Sequence, residues 1–154
     1  MSASDETTYL DPLNSVGYLS RINFRAFSRA LEKLTLEYGV SSGQWRFLRV
    51  LWDADGVTQR ELSELAGTTE ATTVRAVDRL VRSGLVTREP SRHDRRKVHV
   101  FLTKKGQCLR DKLIPMVVQV NERALAGISD KDIETTRRVL ATTFANLTEP
   151  ERRR

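Results

Sequence analysis

The stretch Thr58-Gln59-Arg60-Glu61-Leu62-Ser63-Glu64-Leu65-Ala66-Gly67, followed one residue later by Thr69-Glu70-Ala71-Thr72-Thr73-Val74-Arg75-Ala76-Val77-Asp78-Arg79-Leu80-Val81-Arg82-Ser83-Gly84, decides the fold. Thr58 and Glu61 have the spacing of a capping box, in which hydroxyl and carboxylate satisfy free backbone N–H groups at a helix start. Leu62, Leu65 and Ala66 give that short helix an apolar stripe, and Gly67 closes it. A second helix opens near Thr69 and carries Val74, Val77, Leu80 and Val81 on one side until Gly84. Two helices joined by a tight, glycine-containing turn make a helix-turn-helix.

Downstream, the apolar period changes from 3.6 residues to 2. Leu85-Val86-Thr87 reads as one strand, and Val98, Val100 and Leu102 alternate in another. Between them Arg88 to Lys97 forms a charged hairpin tip, too polar to pack. A long helix is expected from Thr103 to about Ala126, with Leu109, Leu113, Val117 and Val120 in phase. Pro115 inside it should kink it. Gly127 breaks it, Ser129 caps the last helix, and Ile133, Leu140, Phe144 and Leu147 form that helix's stripe.

Upstream, residues 1–11 read as a loose polar arm, and a helix runs from about Leu13 to Tyr38 on Val16, Leu19, Ile22, Phe27, Leu31 and Leu34. Gly39 stops it. Ser41 and Gln44 form another capping box, opening a largely buried helix through Trp45, Phe47, Leu48, Val50, Leu51 and Trp52 that ends at Gly56. The fold class is therefore mainly α with a small β-hairpin wing. The terminal helices carry more apolar surface than one small winged domain needs, which points to a homodimer. The expected organisation is an arm and dimerisation helix over 1–38, a winged helix-turn-helix lobe over 39–105, and C-terminal dimerisation helices over 106–154, all one compact unit.

With 154 residues, the chain is of single-domain size and needs no staples to fold. Its one cysteine, Cys108, excludes an internal disulfide. No apolar run approaches the ~20 residues of a membrane span, and the first ten residues lack a secretory signal, so a cytoplasmic protein is expected. His93 and His99 flank the hairpin, read as solvated, and belong to no His/Cys cluster, so no metal site is expected. Without a phosphate loop, nucleophile elbow or apolar carboxylate pair, neither an enzyme nor a cofactor is expected. Cys108 reads as a small buried hydrophobe, with a redox role through nearby Arg110 and Lys112 as the alternative.

The 26 basic and 20 acidic residues give a net charge of +6. Between Thr69 and Lys105 there are ten Lys or Arg and four Asp or Glu, so the whole excess lies in this segment. The rest of the chain is neutral in aggregate, although Arg152, Arg153 and Arg154 make a small basic tail. If Val74, Val77 and Val81 face the core, the opposite side of the helix presents Thr72, Arg75, Ala76, Arg79 and Ser83. These are residue types that read a major groove. The N-terminal half usually reaches bases, so Thr72, Thr73, Arg75 and Ala76 are assigned to readout, and Arg79 and Arg82 to phosphates. Arg92, Arg95, Arg96 and Lys97 are packed into six residues and opposed there only by Asp94. A tip of this kind suits a minor groove or a phosphate ridge. Arg95 or Arg96 would insert, with Asp94 holding Arg96. The plain alternative is a solvated basic face and loop.

The order of elements resembles the MarR-type transcriptional regulators over nearly the whole chain. The resemblance rests on Leu62-Ser63-Glu64-Leu65-Ala66, on Val77-Asp78-Arg79-Leu80-Val81-Arg82-Ser83-Gly84-Leu85-Val86, and on Asp94-Arg95-Arg96 leading to Leu102-Thr103-Lys104-Lys105-Gly106. It implies a winged-helix homodimer with interlocked N- and C-terminal helices, palindromic operator DNA, and repression relieved by a small ligand. It also implies that Asp94 and Arg96 form a wing pair and that positions 72 to 76 read the groove.

Such ligands, often aromatic acids or phenols, sit between dimer helices and DNA-binding lobe in the family. Trp45-Arg46-Phe47-Leu48-Arg49-Val50-Leu51-Trp52 lies at the matching place. Arg49, on the side of Trp45 and Trp52, would anchor a carboxylate between two indoles. Alternatively it stacks structurally, or Arg46 and Arg49 pair with Glu32 or Asp53. Arg21, Arg25 and Arg29 are further candidates for this cleft. The family's peroxide sensors carry a cysteine near the N-terminus, and this chain has none before position 108. Two rival functions remain: a winged helix that docks an acidic protein partner, and a thiol switch through Cys108.

Overall fold

The computed structural model describes residues 10–148 except 92, 93 and 95. The N-terminal arm up to residue 9, Arg92, His93, Arg95 and the basic tail Arg152–Arg154 therefore lie outside the described residues. Six α-helices and one hairpin are present among the rest: α1 (Val16–Thr35), α2 (Ser42–Asp53), α3 (Gln59–Leu65), α4 (Glu70–Arg82), β1 (Val86–Pro90), β2 (Val98–Leu102), α5 (Lys104–Leu125) and α6 (Asp130–Thr148). The chain forms two compact units, one through Val120 and one from Asn121 onward, so the division falls within α5.

Local chemistry sets the element ends. Ser15 caps α1 through Tyr18 N, and Gly39 takes the left-handed conformation (φ 72°) after the last turn. Both capping boxes form in full. The Gln44 side chain accepts from Ser41 N at 3.1 Å while the Ser41 hydroxyl accepts from Gln44 N at 3.3 Å. Thr58 and Glu61 repeat this exchange at 2.8 and 3.2 Å. Each box contributes about 1 kcal/mol.

The first unit closes over a core of Val40, Phe47, Leu48, Leu51, Leu62, Val77, Leu80, Leu85, Val100 and Leu113, drawn from α2, α3, α4, the hairpin and α5. Trp45 and Trp52 pack against it. The hairpin is antiparallel, pairing Val86 with Leu102 and Pro90 with Val98. β1 is longer than its apolar pattern predicts, running past Thr87 to Pro90, because the backbone of β2 supplies its partners whatever the side chains. β2 is also held on its other edge: Gly56 N donates to Val100 O (3.0 Å) and Val100 N to Val57 O (2.9 Å). His99 is therefore half-buried rather than solvated, with its Nδ1 2.9 Å from Gly56 O.

The exit of the wing explains its Leu-Thr-x-x-Gly pattern. Thr103 bonds through its N–H to Leu85 O (3.0 Å) and through its hydroxyl to Gly84 O (2.7 Å), while Lys105 Nζ reaches Ser83 O (2.9 Å). A Cβ on Gly106 would stand 2.1 Å from Leu85 O, so no other residue fits. Trp52 Nε1 donates to Gly106 O at 3.0 Å and ties α2 to the same joint.

Candidate nucleic-acid interface

α4 is opened by Thr69, whose hydroxyl accepts from Thr72 N at 3.2 Å. Its buried face consists of Thr73, Ala76, Val77 and Leu80. This corrects the assignment of Thr73 and Ala76 to base readout, since Thr73 is fully buried and Ala76 nearly so. The phase is set by Ala76, Val77 and Leu80 together. Thr73 joins them because its hydroxyl donates to Thr69 O (3.0 Å), which satisfies the group inside. Val74 and Val81, read from sequence as core, are instead exposed. The outward face thus carries Ala71, Thr72, Val74, Arg75, Arg79, Val81 and Arg82. Ser83 is half-buried at the C-cap, its hydroxyl bonded to Arg79 O (2.9 Å).

Beyond Glu70 in the first turn, the acid of this helix is the half-buried Asp78, and the Arg88 guanidinium of β1 bonds its carboxylate. Arg88 is therefore a bridge between α4 and the wing, a role that its place in a polar run concealed. At the tip, the Asp94 carboxylate accepts from Arg96 N (3.0 Å) and lies 3.4 Å from Arg96 Nε. Ser91 N donates to Lys97 O (2.8 Å), and Lys97 N to Asp94 O (2.9 Å), closing the turn. Arg96 and Lys97 are exposed. Arg92 and Arg95 fall outside the described residues. At the foot of the wing, the Glu61 carboxyl is held below the usual carboxylate range, chiefly by the backbone N–H of Thr58 and then by its hydroxyl. Electrostatic attraction from the neighbouring His99 and Lys97 side chains adds to this, against an opposing contribution from burial.

The residues proposed for a ligand separate into groups. The Trp45 and Trp52 rings meet edge to face with centroids 5.5 Å apart, which leaves no gap for a guanidinium, and Arg49 is exposed. The sandwich expected from their spacing does not form. Arg46 instead lies over the Phe24 ring at 5.9 Å. Both line a groove of about 260 Å³ with Arg25, Ser28, Arg29, Glu32, Ser42 and Gly43. Glu32 accepts there from Ser42 N at 3.2 Å. Arg21 stacks on Tyr18 of its own helix at 5.3 Å. Cys108 is exposed on α5 and is not the buried hydrophobe expected.

The family model described as "MarR family" matches residues 38–97, the span from just before α2 to the tip of the wing. The chain is 30% identical to the HTH-type transcriptional repressor NicR of Pseudomonas putida over 128 residues, covering 83% of this chain and 81% of that protein. A MarR transcriptional regulator from Methanosarcina mazei superposes with a TM-score of 0.79 at 30% identity, covering 85% of this chain and 94% of that one. A MarR family regulator from Listeria monocytogenes, solved with 26mer DNA, shares the fold with a TM-score of 0.80 at 22% identity, covering 86% of this chain and 89% of that one.

Proposed function

The chain belongs to the MarR family of transcriptional regulators, and from that premise we propose that it represses transcription as a homodimer on palindromic double-stranded DNA, leaving the DNA when a small aromatic acid or phenol binds. One observation supports the DNA reading above the others. Thr72, Arg75, Arg79 and Arg82 are exposed together on α4, followed by exposed Arg96 and Lys97 on the wing, within the segment that holds the chain's net charge.

In this reading Thr72 and Arg75 meet base edges, where an arginine can bond guanine O6 and N7 together. Arg79 and Arg82 take phosphates. Arg96, posed by Asp94, enters a minor groove or follows a phosphate ridge with Lys97, and sequence adds Arg92 and Arg95 to the same tip. The exposed apolar residues of α6, Leu140, Phe144 and Leu147, support the dimer. A two-fold mate would set two α4 helices about one DNA turn apart. NicR is named a repressor, which supports the sign of regulation. For the ligand, Phe24 with Arg25, Arg29 and Arg46 offers a ring and three cations in one groove, a match for an aromatic acid. The protein would act in the cytoplasm, where its DNA is.

Gel-shift titration against the DNA upstream of its own gene tests the reading. Affinity should depend on sequence and fall steeply with salt. Arg75→Ala should lose about 1–3 kcal/mol and relax preference at one base position, whereas Arg96→Ala should weaken binding on all sequences alike. Equal affinity for unrelated sequences would overturn it. Retention of an acidic protein without any DNA shift would favour the docking module.

A further inference from the structure

Thr73 and Val74 are neighbours of nearly the same shape, differing by a hydroxyl in place of a methyl group. α4 buries the hydroxyl-bearing residue completely and leaves the all-methyl one 38% exposed. Solvation alone favours the reverse, since a valine inside and a threonine outside would hide the methyl and wet the hydroxyl. Thr73 is reconciled with its site by donating to Thr69 O. Val74 has no such compensation. It stands in the N-terminal half of α4, one turn after exposed Ala71, beside exposed Arg75, and one turn before Asp78, which Arg88 covers. Ala71 and Val74 thus make a short methyl strip in the N-terminal half of an outward face whose other apolar residue, Val81, lies two turns further on.

We infer that Val74 is a specificity-determining residue, whose methyl groups pack on the C5-methyl of a thymine next to the base met by Arg75. This rests on the DNA reading above and deepens it. The thymine methyl is the one apolar feature that a base pair shows in the major groove. A threonine at this position would accept or donate to several bases and so discriminate weakly. A valine rewards only the methyl, and it leaves the amino group of a cytosine placed there without a partner. The exposed valine therefore narrows the choice of base where a hydroxyl would widen it.

The test is a thymine-to-uracil scan, because dU keeps the Watson–Crick pairing of dT and lacks only the methyl. Operator DNA is first selected from genomic fragments by the full-length protein. Each dT is then replaced singly by dU, and binding is followed by fluorescence anisotropy. At one thymine in each half-site, dU should weaken wild-type binding about fourfold, the factor that corresponds to one buried methyl group. Val74→Ala, at an exposed helical position, should lose that contact in both half-sites, bind the unmodified operator about fifteenfold more weakly, and become indifferent to dU at either site. Thr73→Val should leave the dU pattern unchanged. The inference is overturned if wild type and Val74→Ala bind selectively but show the same dU penalties at every position. If wild type selects no fragment at all, the DNA reading itself falls, and this inference with it.

Discussion

α4 and α6 are helices of similar character in sequence and opposite character in structure. Both are amphipathic. α4 buries four of its residues within the first unit and shows solvent a mostly polar face. α6 buries none and leaves Leu140 43%, Phe144 67% and Leu147 86% exposed. An apolar stripe of that extent on a helix whose polar face is already wet is unfinished, and the second copy proposed above would complete it. The helix-turn-helix and wing, by contrast, find most of their partners among themselves, in capping boxes, a shared core, and a wing held at its foot from both edges, while α1 leaves Val16 and Phe24 exposed.

The largest effect should come from the unfinished helix. Phe144→Glu removes a side chain whose burial stabilises by about 1.5–3 kcal/mol, and two-fold symmetry applies that loss twice. The dimer dissociation constant should rise by a factor of about 10² to 10⁴. Sedimentation equilibrium would show monomers at micromolar concentration. An unchanged dimer would mean that the stripe on α6 is not the interface, and the contrast with α4 would need another explanation.

Next comes a break inside the finished unit. Gly106→Ala places a methyl group 2.1 Å from the Leu85 carbonyl. That oxygen already accepts from Thr103, so strand and helix must separate, at a cost of about 3 kcal/mol. For a chain of this size the melting temperature should fall by about 10 °C, at any protein concentration. A melting point that stays put would show the joint to be softer than its bonding suggests.

The difference between the two regions also explains what could be read in advance. The capping boxes at Ser41 and Thr58, the stops at Gly39 and Gly67 and the helix-turn-helix follow rules that act over a few residues, and all appear where their spacing puts them. The phase of α4 does not follow from such rules. Thr73 hides its hydroxyl in a local bond and Val74 shows its methyls, so residue polarity points the wrong way at both positions. Arg88 meets Asp78 only because β1 returns along α4, a tertiary fact without a local signal. The indole pair misled in another way: two helical turns do bring Trp45 and Trp52 to one face, but the rings reach each other and exclude Arg49.

A middle-sized effect tests whether the helix and wing of the finished unit act as one surface. Arg88→Ala removes a cation and exposes the Asp78 carboxylate to DNA phosphate. Asp78→Asn removes the repulsion and frees Arg88. Arg88→Ala should weaken DNA binding about tenfold, while the double variant should recover about half of that loss in free energy, a coupling of roughly 0.5–1 kcal/mol for a half-exposed pair. Additive losses in the double-mutant cycle would make helix and wing independent.

The smallest effect sits at the Thr58–Glu61 cap, which the Ser41–Gln44 cap reproduces without a titratable group. Thr58 donates to Glu61 from its backbone and its hydroxyl, and these bonds hold the carboxyl below its usual value, against a small opposing contribution from burial. Because the folded-state carboxyl titrates lower than the unfolded one, ionised Glu61 gives its full stabilisation above the unfolded value. That stabilisation is lost as pH falls through the lower, folded value. Glu61→Gln keeps the capping geometry and cannot ionise. On acidification from about pH 6 to about pH 3, across the ordinary glutamate range, thermal unfolding should show wild type losing ground to Glu61→Gln. The gap should be the same at tenfold higher protein concentration, since the cap belongs to the unit that completes itself. A gap that changed with concentration would tie this cap to the dimer and blur the line between the two regions.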